Sequence, residues 1–329
     1  MKILFVYSNL ATYVKKDIDI LKSAHTVKEM QFLKFRYLPA FYKEVRWCDI
    51  TIAWFGYVQA FFAVLFSKLL GKKSIVVAGG WDVAKETEIG YGIFTSWKRK
   101  WYPLFAFKFT DLILAVSNFT RLECIHNARA NHNKIIVVYH GFMTDGSYEI
   151  DYSSKQELVI TVCSSIRKNT IITKGLELFV RSARYLPEVK FLLIASDSGD
   201  GSLGYLRDIA SGNVTFSECL YGEDLISLYK KAKVYVQVSY RESFGCSLAE
   251  AMLYGCVPVV SRRAAIPEVV GDCGIYVDKL EPEEVALKIK KALHSDLGRK
   301  ASERIKTNFT LEKRRKELLE AVASLAYRE

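Results

Sequence analysis

Residues 233–261 read KVYVQVSYRESFGCSLAEAMLYGCVPVVS, which is a strand, a turn, a helix and a second strand in one pass. The first apolar run, KVYVQVS, covers 233–239. The chain then turns between Glu242 and Gly245, and a helix is expected over Cys246 to Tyr254 before VPVVS at 257–261. Across the chain such runs are mostly continuous rather than alternating, which marks strands covered on both faces. Two such strands bridged by a helix make a parallel crossover unit.

The pattern repeats outward. LVITVCS at 158–164, KFLLIAS at 190–196 and NVTFS at 213–217 precede it. Beyond the polar break TDGSYEIDYSSKQE, Thr144 to Glu157, stand KILFVY at 2–7, DITIAWF at 49–55, SIVVA at 74–78, DLILAVS at 111–117 and KIIVVYH at 134–140. The break is rich in Ser, Asp and Tyr and lacks apolar periodicity, so it suits a linker. The expectation is two α/β, doubly wound domains, residues 1–150 and 151–307, with ligands in a cleft beyond the carboxyl ends of the strands. From Asp278 onward the chain reads as mainly helical, ending in a charged helix from Leu311 to Tyr327.

At 329 residues and 50% hydrophobic, the chain exceeds one ordinary domain core, and its 25% charged residues exclude a disordered class. The formal net charge of +11 sits mostly in the first 150 residues. It favours anionic partners without choosing among phosphate-bearing substrates, acidic membranes and nucleic acid. Seven cysteines with no CxxC pair suggest neither a disulfide framework nor a zinc site, so a cytoplasmic home is expected. The opening MKILFVYSNL lacks a secretory signal's long apolar core and reads as a first strand kept in the mature protein. Tyr57 to Leu70 is too short to span a bilayer and reads as a buried helix, with an interfacial helix as the alternative. Trp97-Lys98-Arg99-Lys100-Trp101-Tyr102 interleaves cations and rings, suiting a membrane-interface contact, stacking on nucleic acid, or a plain helix end with snorkelling cations.

Chemistry concentrates in 239–278. Ser243 is expected to cap the helix. The amides of Phe244, Gly245 and Cys246 would then meet a diphosphate at its N-terminus, with Gly245 allowing close approach. Glu242 in the loop and Glu250 in the helix can grip separate hydroxyls of one ligand through charge-assisted hydrogen bonds. Taken alone, two glutamates at this spacing are ordinary solvated charges. Asp17-Ile18-Asp19 has the form of a metal-binding DxD, but it lies in an amphipathic helix and reads as solvated, and the five histidines have no ligand spacing.

The whole string resembles the donor-site signature of family 4 of the retaining glycosyltransferases, the E-x7-E motif of the GT-B fold. Glu242, Phe244, Gly245, Glu250, Ala251, the run Gly255 to Val259 and Pro267-Glu268-Val269-Val270 carry the resemblance, with Lys174-Gly175, AVSNFTR at 115–121 and YHGF at 139–142 upstream. It is strong over 158–280 and weak over 1–110. It implies two Rossmann-like domains facing across a cleft, an N-terminal acceptor domain and a C-terminal donor domain, with the last helix, 308–329, packing back on the first. It further implies that Glu250 holds the donor ribose, and that Glu242 with the backbone of Phe244, Gly245, Cys246 and Ser247 holds the sugar and phosphates. Arg167 and Lys174 would neutralise the diphosphate; Lys168 is the alternative to Arg167.

The implied activity is retaining, metal-independent transfer of a hexose-type sugar from a nucleotide-sugar donor to a glycan, lipid-linked or small-molecule acceptor. Glu242 would be catalytic by positioning and electrostatic support rather than as a nucleophile. No cofactor beyond the donor and no metal are expected, nor a nucleic-acid partner; peripheral contact with an acidic inner-membrane face is left open. The family's glycine-rich first loop is replaced by Ser8-Asn9-Leu10-Ala11-Thr12, and its N-domain histidine by Ala78-Gly79-Gly80-Trp81-Asp82. Asn9, Asp82 and His140 are the acceptor-side candidates, and these departures keep a non-catalytic nucleotide-sugar-binding scaffold as the rival reading.

Overall fold

The computed structural model describes residues 1–32, 34–143 and 150–326. It divides into two compact units, Met1–Gly141 with Leu311–Glu329, and Phe142–Thr310. The divisions fall after 141 and after 310, where the sequence reading puts them after 150 and 307. The first part of the polar break, 144–149, lies outside the described residues, and its last two residues, Gln156 and Glu157, already belong to a strand.

Unit 1 runs β1 (Lys2–Tyr7), α1 (Thr12–Lys22), β2 (Thr26–Gln31), α2 (Leu38–Trp47), β3 (Ile50–Trp54), α3 (Val58–Leu69), β4 (Lys73–Ala78), α4 (Trp101–Phe109), β5 (Leu112–Ala115), α5 (Asn118–His126) and β6 (Ile135–Val137). Its sheet is parallel in the order β2-β1-β3-β4-β5-β6. Alternate residues of the central strands feed opposite cores: Leu4, Val6, Ala53 and Val76 on one face, Ile3, Phe5, Ile52 and Ile75 on the other. This two-sided burial is why their sequences run continuously apolar.

Unit 2 runs β7 (Gln156–Ile166), α6 (Lys168–Lys174), α7 (Leu176–Ser182), β8 (Lys190–Asp197), α8 (Ser202–Asp208), β9 (Val214–Ser217), α9 (Gly222–Lys231), β10 (Ala232–Gln237), α10 (Cys246–Leu253), β11 (Val257–Ser261), α11 (Ile266–Val270), β12 (Ile275–Val277), α12 (Pro282–Leu293) and α13 (Leu297–Asn308). Its parallel sheet is ordered β12-β11-β10-β7-β8-β9, so the strand order reverses between β7 and β10. Edge strands β2 and β12 go unread in the sequence. β2, TVKEMQ, is largely exposed and polar, and β12 has three residues.

The last helix, α14 (Leu311–Ala326), is assigned to unit 1, where it packs on α1. Arg314 of α14 is buried. It makes two bonds to Asp17, at 2.6 and 2.7 Å, and donates to the carbonyls of Val138 and Tyr139. Asp17 also accepts from Trp54 Nε1 at 2.8 Å. The sequence reading of Asp17 as a solvated helix charge is therefore corrected. α1 is indeed a helix, but Asp17 faces inward because Arg314 and Trp54 supply the donors that a buried carboxylate requires.

The reading of Tyr57 to Leu70 as a buried helix is also corrected. In α3, Gln59, Ala60, Ala63, Val64 and Ser67 are buried, while the opposite side stays partly open. No described helix is long and apolar enough to cross a membrane.

Candidate functional site

β10 and β7 are neighbours at the point where the strand order of unit 2 reverses, the place where open α/β sheets bind ligands. The loop after β10, residues 238–245, is pinned on several sides. Ser261 Oγ donates to the Ser239 carbonyl at 2.6 Å, Tyr240 N donates to the Thr173 carbonyl at 2.9 Å, and Ala265 N donates to the Glu242 carbonyl at 3.1 Å.

α6 ends at Lys174, and Gly175 follows in the left-handed region with φ 66°. A Cβ at Gly175 would stand 2.3 Å from the Val238 carbonyl oxygen, so only glycine lets the two segments close. That closure delivers the Lys174 ammonium to Glu242 Oε2, with which it forms an ion pair. Gln237 Nε2 donates to the same oxygen at 3.0 Å. Glu242 is mostly enclosed and Lys174 about one-third exposed, so a preassembled pair faces the end of the sheet.

α10 begins at Cys246 with Gly245, φ 95°, as its N-cap and no side-chain cap. The expectation that Ser243 caps this helix is thus corrected. The Ser243 hydroxyl instead accepts from Arg241 Nη1 at 3.3 Å, and a glycine in the left-handed region makes the turn. The first intrahelical bond runs from Ala249 N to the Gly245 carbonyl, so the amides of Ser247 and Leu248 precede the helical ladder at the positive end of the helix. Phe244 is buried, its ring stacked on Phe142 at 6.1 Å and edge-on to Phe309 at 5.4 Å, which makes the side chain a packing element.

Glu250 is half-buried in the second turn of α10. Burial, and after it the neighbouring ionisable groups, raise the Tyr229 and Tyr235 hydroxyls well above their usual range; for Tyr229 these groups are Tyr235 and then Glu250, for Tyr235 they are Glu242 and then Glu250. Tyr229 stacks on Tyr254 with centroids 6.2 Å apart. Arg167 is exposed just beyond β7, its amide bonded to Thr170 Oγ1 at 2.8 Å and its Nε to Ser165 Oγ at 3.3 Å. Lys168 is equally exposed, its amide on Asp200 Oδ2 at 3.2 Å, so both cations stand at the same strand end.

Sequence reasoning passed over Gln237, Tyr229 and Tyr254. Gln237 had a signal, because it is a polar residue inside the buried run KVYVQVS. Cys163, beside Lys174, is a buried thiol pushed up by burial and without a metal-ligand neighbourhood. Among the described residues no cluster of His, Cys, Asp and Glu could hold a metal ion.

The other three candidates stand in unit 1. Asn9 is exposed just after β1. The Asp82 carboxylate is buried and accepts from the amides of Gly56 (2.6 Å), Gly79 (3.1 Å) and Gly80 (2.8 Å), tying the end of β3 to the turn after β4. Burial pushes it up to about 6 against these amide bonds. His140 is buried, stacked on Trp54 at 6.0 Å and beside Tyr13 at 5.2 Å. Burial, with Arg314 and Lys16 nearby, holds it well below its ordinary range.

A carboxylate bound by a lysine lies beside a helix N-terminus at the switch point of a parallel sheet, where helix amides favour an anionic ligand. Residues 155–311 match the family of glycosyl transferases group 1. The matched residues include both glutamates of the candidate site, Lys174 and Arg167. The chain is 37% identical over 93 residues to O-antigen chain mannosyltransferase B of Escherichia coli, covering 28% of this chain and 24% of that protein. It is 33% identical over 175 residues to D-inositol 3-phosphate glycosyltransferase of a Mycobacterium species, 48% of this chain and 38% of that one. These alignments span half or less of the relatives' own length.

The fold is matched over its whole length. A glycosyltransferase of Rickettsia africae superposes with TM-score 0.78 at 16% identity, covering 100% of this chain and 99% of the other. Anabaena HepE, solved with UDP and glucose, gives TM-score 0.78 at 16% identity, covering 98% and 100%. The fold class is therefore GT-B, with two Rossmann-like α/β units.

Proposed function

We propose that this chain is a glycosyltransferase and that unit 2 holds its nucleotide-sugar donor. The observation that carries the reading is the Lys174–Glu242 pair at the switch point, beside the N-terminus of α10. The family match over 155–311 and the UDP and glucose bound by HepE support it.

In this reading Lys174, Arg167 and the first amides of α10 hold the diphosphate, and their charge and dipoles stabilise the negative charge that grows as the anomeric bond breaks. Lys168 is the neighbour that takes over from Arg167 if needed. Glu250 accepts from the ribose hydroxyls. Glu242, held by Lys174 and Gln237, faces the sugar as its positioning carboxylate and electrostatic support. The transfer proposed is retaining and metal-independent, of a hexose-type sugar, and the acceptor is a glycan, a lipid-linked sugar or a small molecule.

The test is a panel of UDP-, GDP- and ADP-sugars with candidate acceptors, following release of nucleoside diphosphate with and without EDTA and reading the product's anomeric configuration by NMR. Turnover that survives EDTA, retains configuration and falls on Glu242→Gln is expected. A protein that binds donors but never releases diphosphate would instead be a non-catalytic scaffold.

A further inference from the structure

We propose that the outer face of α3, with its flanks on α2 and α4, docks unit 1 onto an anionic lipid bilayer surface. α3 carries two apolar stripes. The inner one, Ala60, Ala63 and Val64, is buried in the unit 1 core. The outer one, Val58, Phe61, Phe62, Leu65, Phe66 and Leu69, repeats at helical spacing on the opposite side, half-buried until Leu69, which is 68% exposed. A helix apolar all round is expected in a core or against lipid, and here the outer stripe is left partly open to solvent.

Neighbouring rings cover part of this stripe and extend it sideways, with Val58, Phe62 and Phe66 also packed against the unit 1 core. Phe61 meets Phe105 at 4.6 Å, and Phe105 meets Phe109 at 4.7 Å. On the other side, Phe62 meets Phe35 at 5.9 Å, and Phe66 meets Tyr42 at 5.4 Å. Phe35, Trp97 and Trp101 are 57%, 70% and 63% exposed. Isolated exposed apolar residues are commonplace, but a continuous aromatic surface across three helices marks an interaction site.

Charge selects the occupant. The segments 35–47, 58–69 and 97–109, which carry this face, contain eight lysines and arginines against one glutamate, Glu44. Cations stand over the exposed rings: Lys98 over Trp97 at 5.3 Å, Lys100 over Trp101 at 5.7 Å, Lys108 over Phe109 at 5.3 Å and Arg36 over Tyr37 at 5.0 Å. The acids beside the face, Asp111 and Glu44, are paired with Lys68 and Lys28. Rings that settle at the acyl boundary with cations at the phosphates are what an interfacial anchor requires. A protein partner would be met by an apolar face with mixed charge at its rim. A predominantly cationic rim whose two acids are already paired fits phospholipid headgroups instead.

The experiment is sedimentation of the full chain with vesicles of phosphatidylcholine alone and with roughly a third phosphatidylglycerol, without any sugar donor. Partition at least about tenfold stronger onto the anionic vesicles is expected. It should fall about tenfold or more in Trp97→Ser with Trp101→Ser, and in Lys98→Glu with Arg99→Glu, while circular dichroism melts stay unchanged. Docking is overturned if the chain ignores both vesicles or if the variants bind as the native chain does. It is also overturned if light scattering finds a dimer broken by the same substitutions in a chain that binds no vesicle. Diphosphate release in solution reads the donor site separately, so failure of one reading leaves the other standing.

Discussion

Lys174 and Gln237 donate to the same oxygen of Glu242, Oε2, from a helix end and a strand end that only meet because Gly175 lets the backbones close. One carboxylate is thereby oriented by two donors before any ligand arrives. Glu242→Gln keeps the shape but loses the charge that both donors face. Under the proposed function, kcat should fall about a hundredfold with the melting temperature little changed. Lys174→Met should act mainly on donor affinity, weakening it about ten- to a hundredfold in calorimetric titration. Equal effects of the two substitutions on kcat and on binding would contradict this division of labour.

Gly175→Ala tests the closure itself. The added Cβ meets the Val238 carbonyl at 2.3 Å in a left-handed residue. A loss of at least about 2 kcal/mol in urea unfolding is expected. A much smaller loss would mean that the Lys174 end of α6 can shift without cost.

The Asp17–Arg314 pair couples α1 to α14 across the sequence. Arg314→Met leaves the buried Asp17 carboxylate with Trp54 as its remaining donor and should cost about 3–5 kcal/mol. The double variant Asp17→Asn with Arg314→Met should recover part of that loss, because no unpaired charge remains. Chemical denaturation of the two single variants and the double variant gives the coupling directly.

Asp82 sets a pH dependence. Its folded value of about 6 lies above its ordinary 3.8, so between these limits the folded state binds more protons than the unfolded state. Its contribution is full below about pH 4 and is lost as pH rises through about 6, by roughly 3 kcal/mol. In urea unfolding from about pH 4 to pH 7, the native chain should lose roughly 3 kcal/mol relative to Asp82→Asn as pH rises. A constant gap would show that Asp82 is ionised throughout.

Two parallel sheets and the strand–turn–helix–strand segment that carries Glu242 and Glu250 were readable because each rests on local pattern. Strands buried on both faces must be continuously apolar, and a phosphate-binding helix start needs glycine beside polar residues within a few positions. Edge strands β2 and β12 escaped, since an edge may be polar or very short. Ser243 was read as a cap because its residue type suits that position, yet the left-handed turn at Gly245 moved the helix start beyond its reach.

The chain alone therefore determined the fold class and the segment that carries the candidate chemistry. Tertiary packing decided partners far apart in sequence: Asp17 with Arg314, Gln237 and Lys174 with Glu242, and the amides of Gly56, Gly79 and Gly80 with Asp82. It also decided that the inner stripe of α3 is fully covered and the outer one only partly. Periodicity reports which faces of an element are apolar, but which distant donor satisfies a buried charge, and whether a neighbour covers an apolar face, depend on how the elements pack.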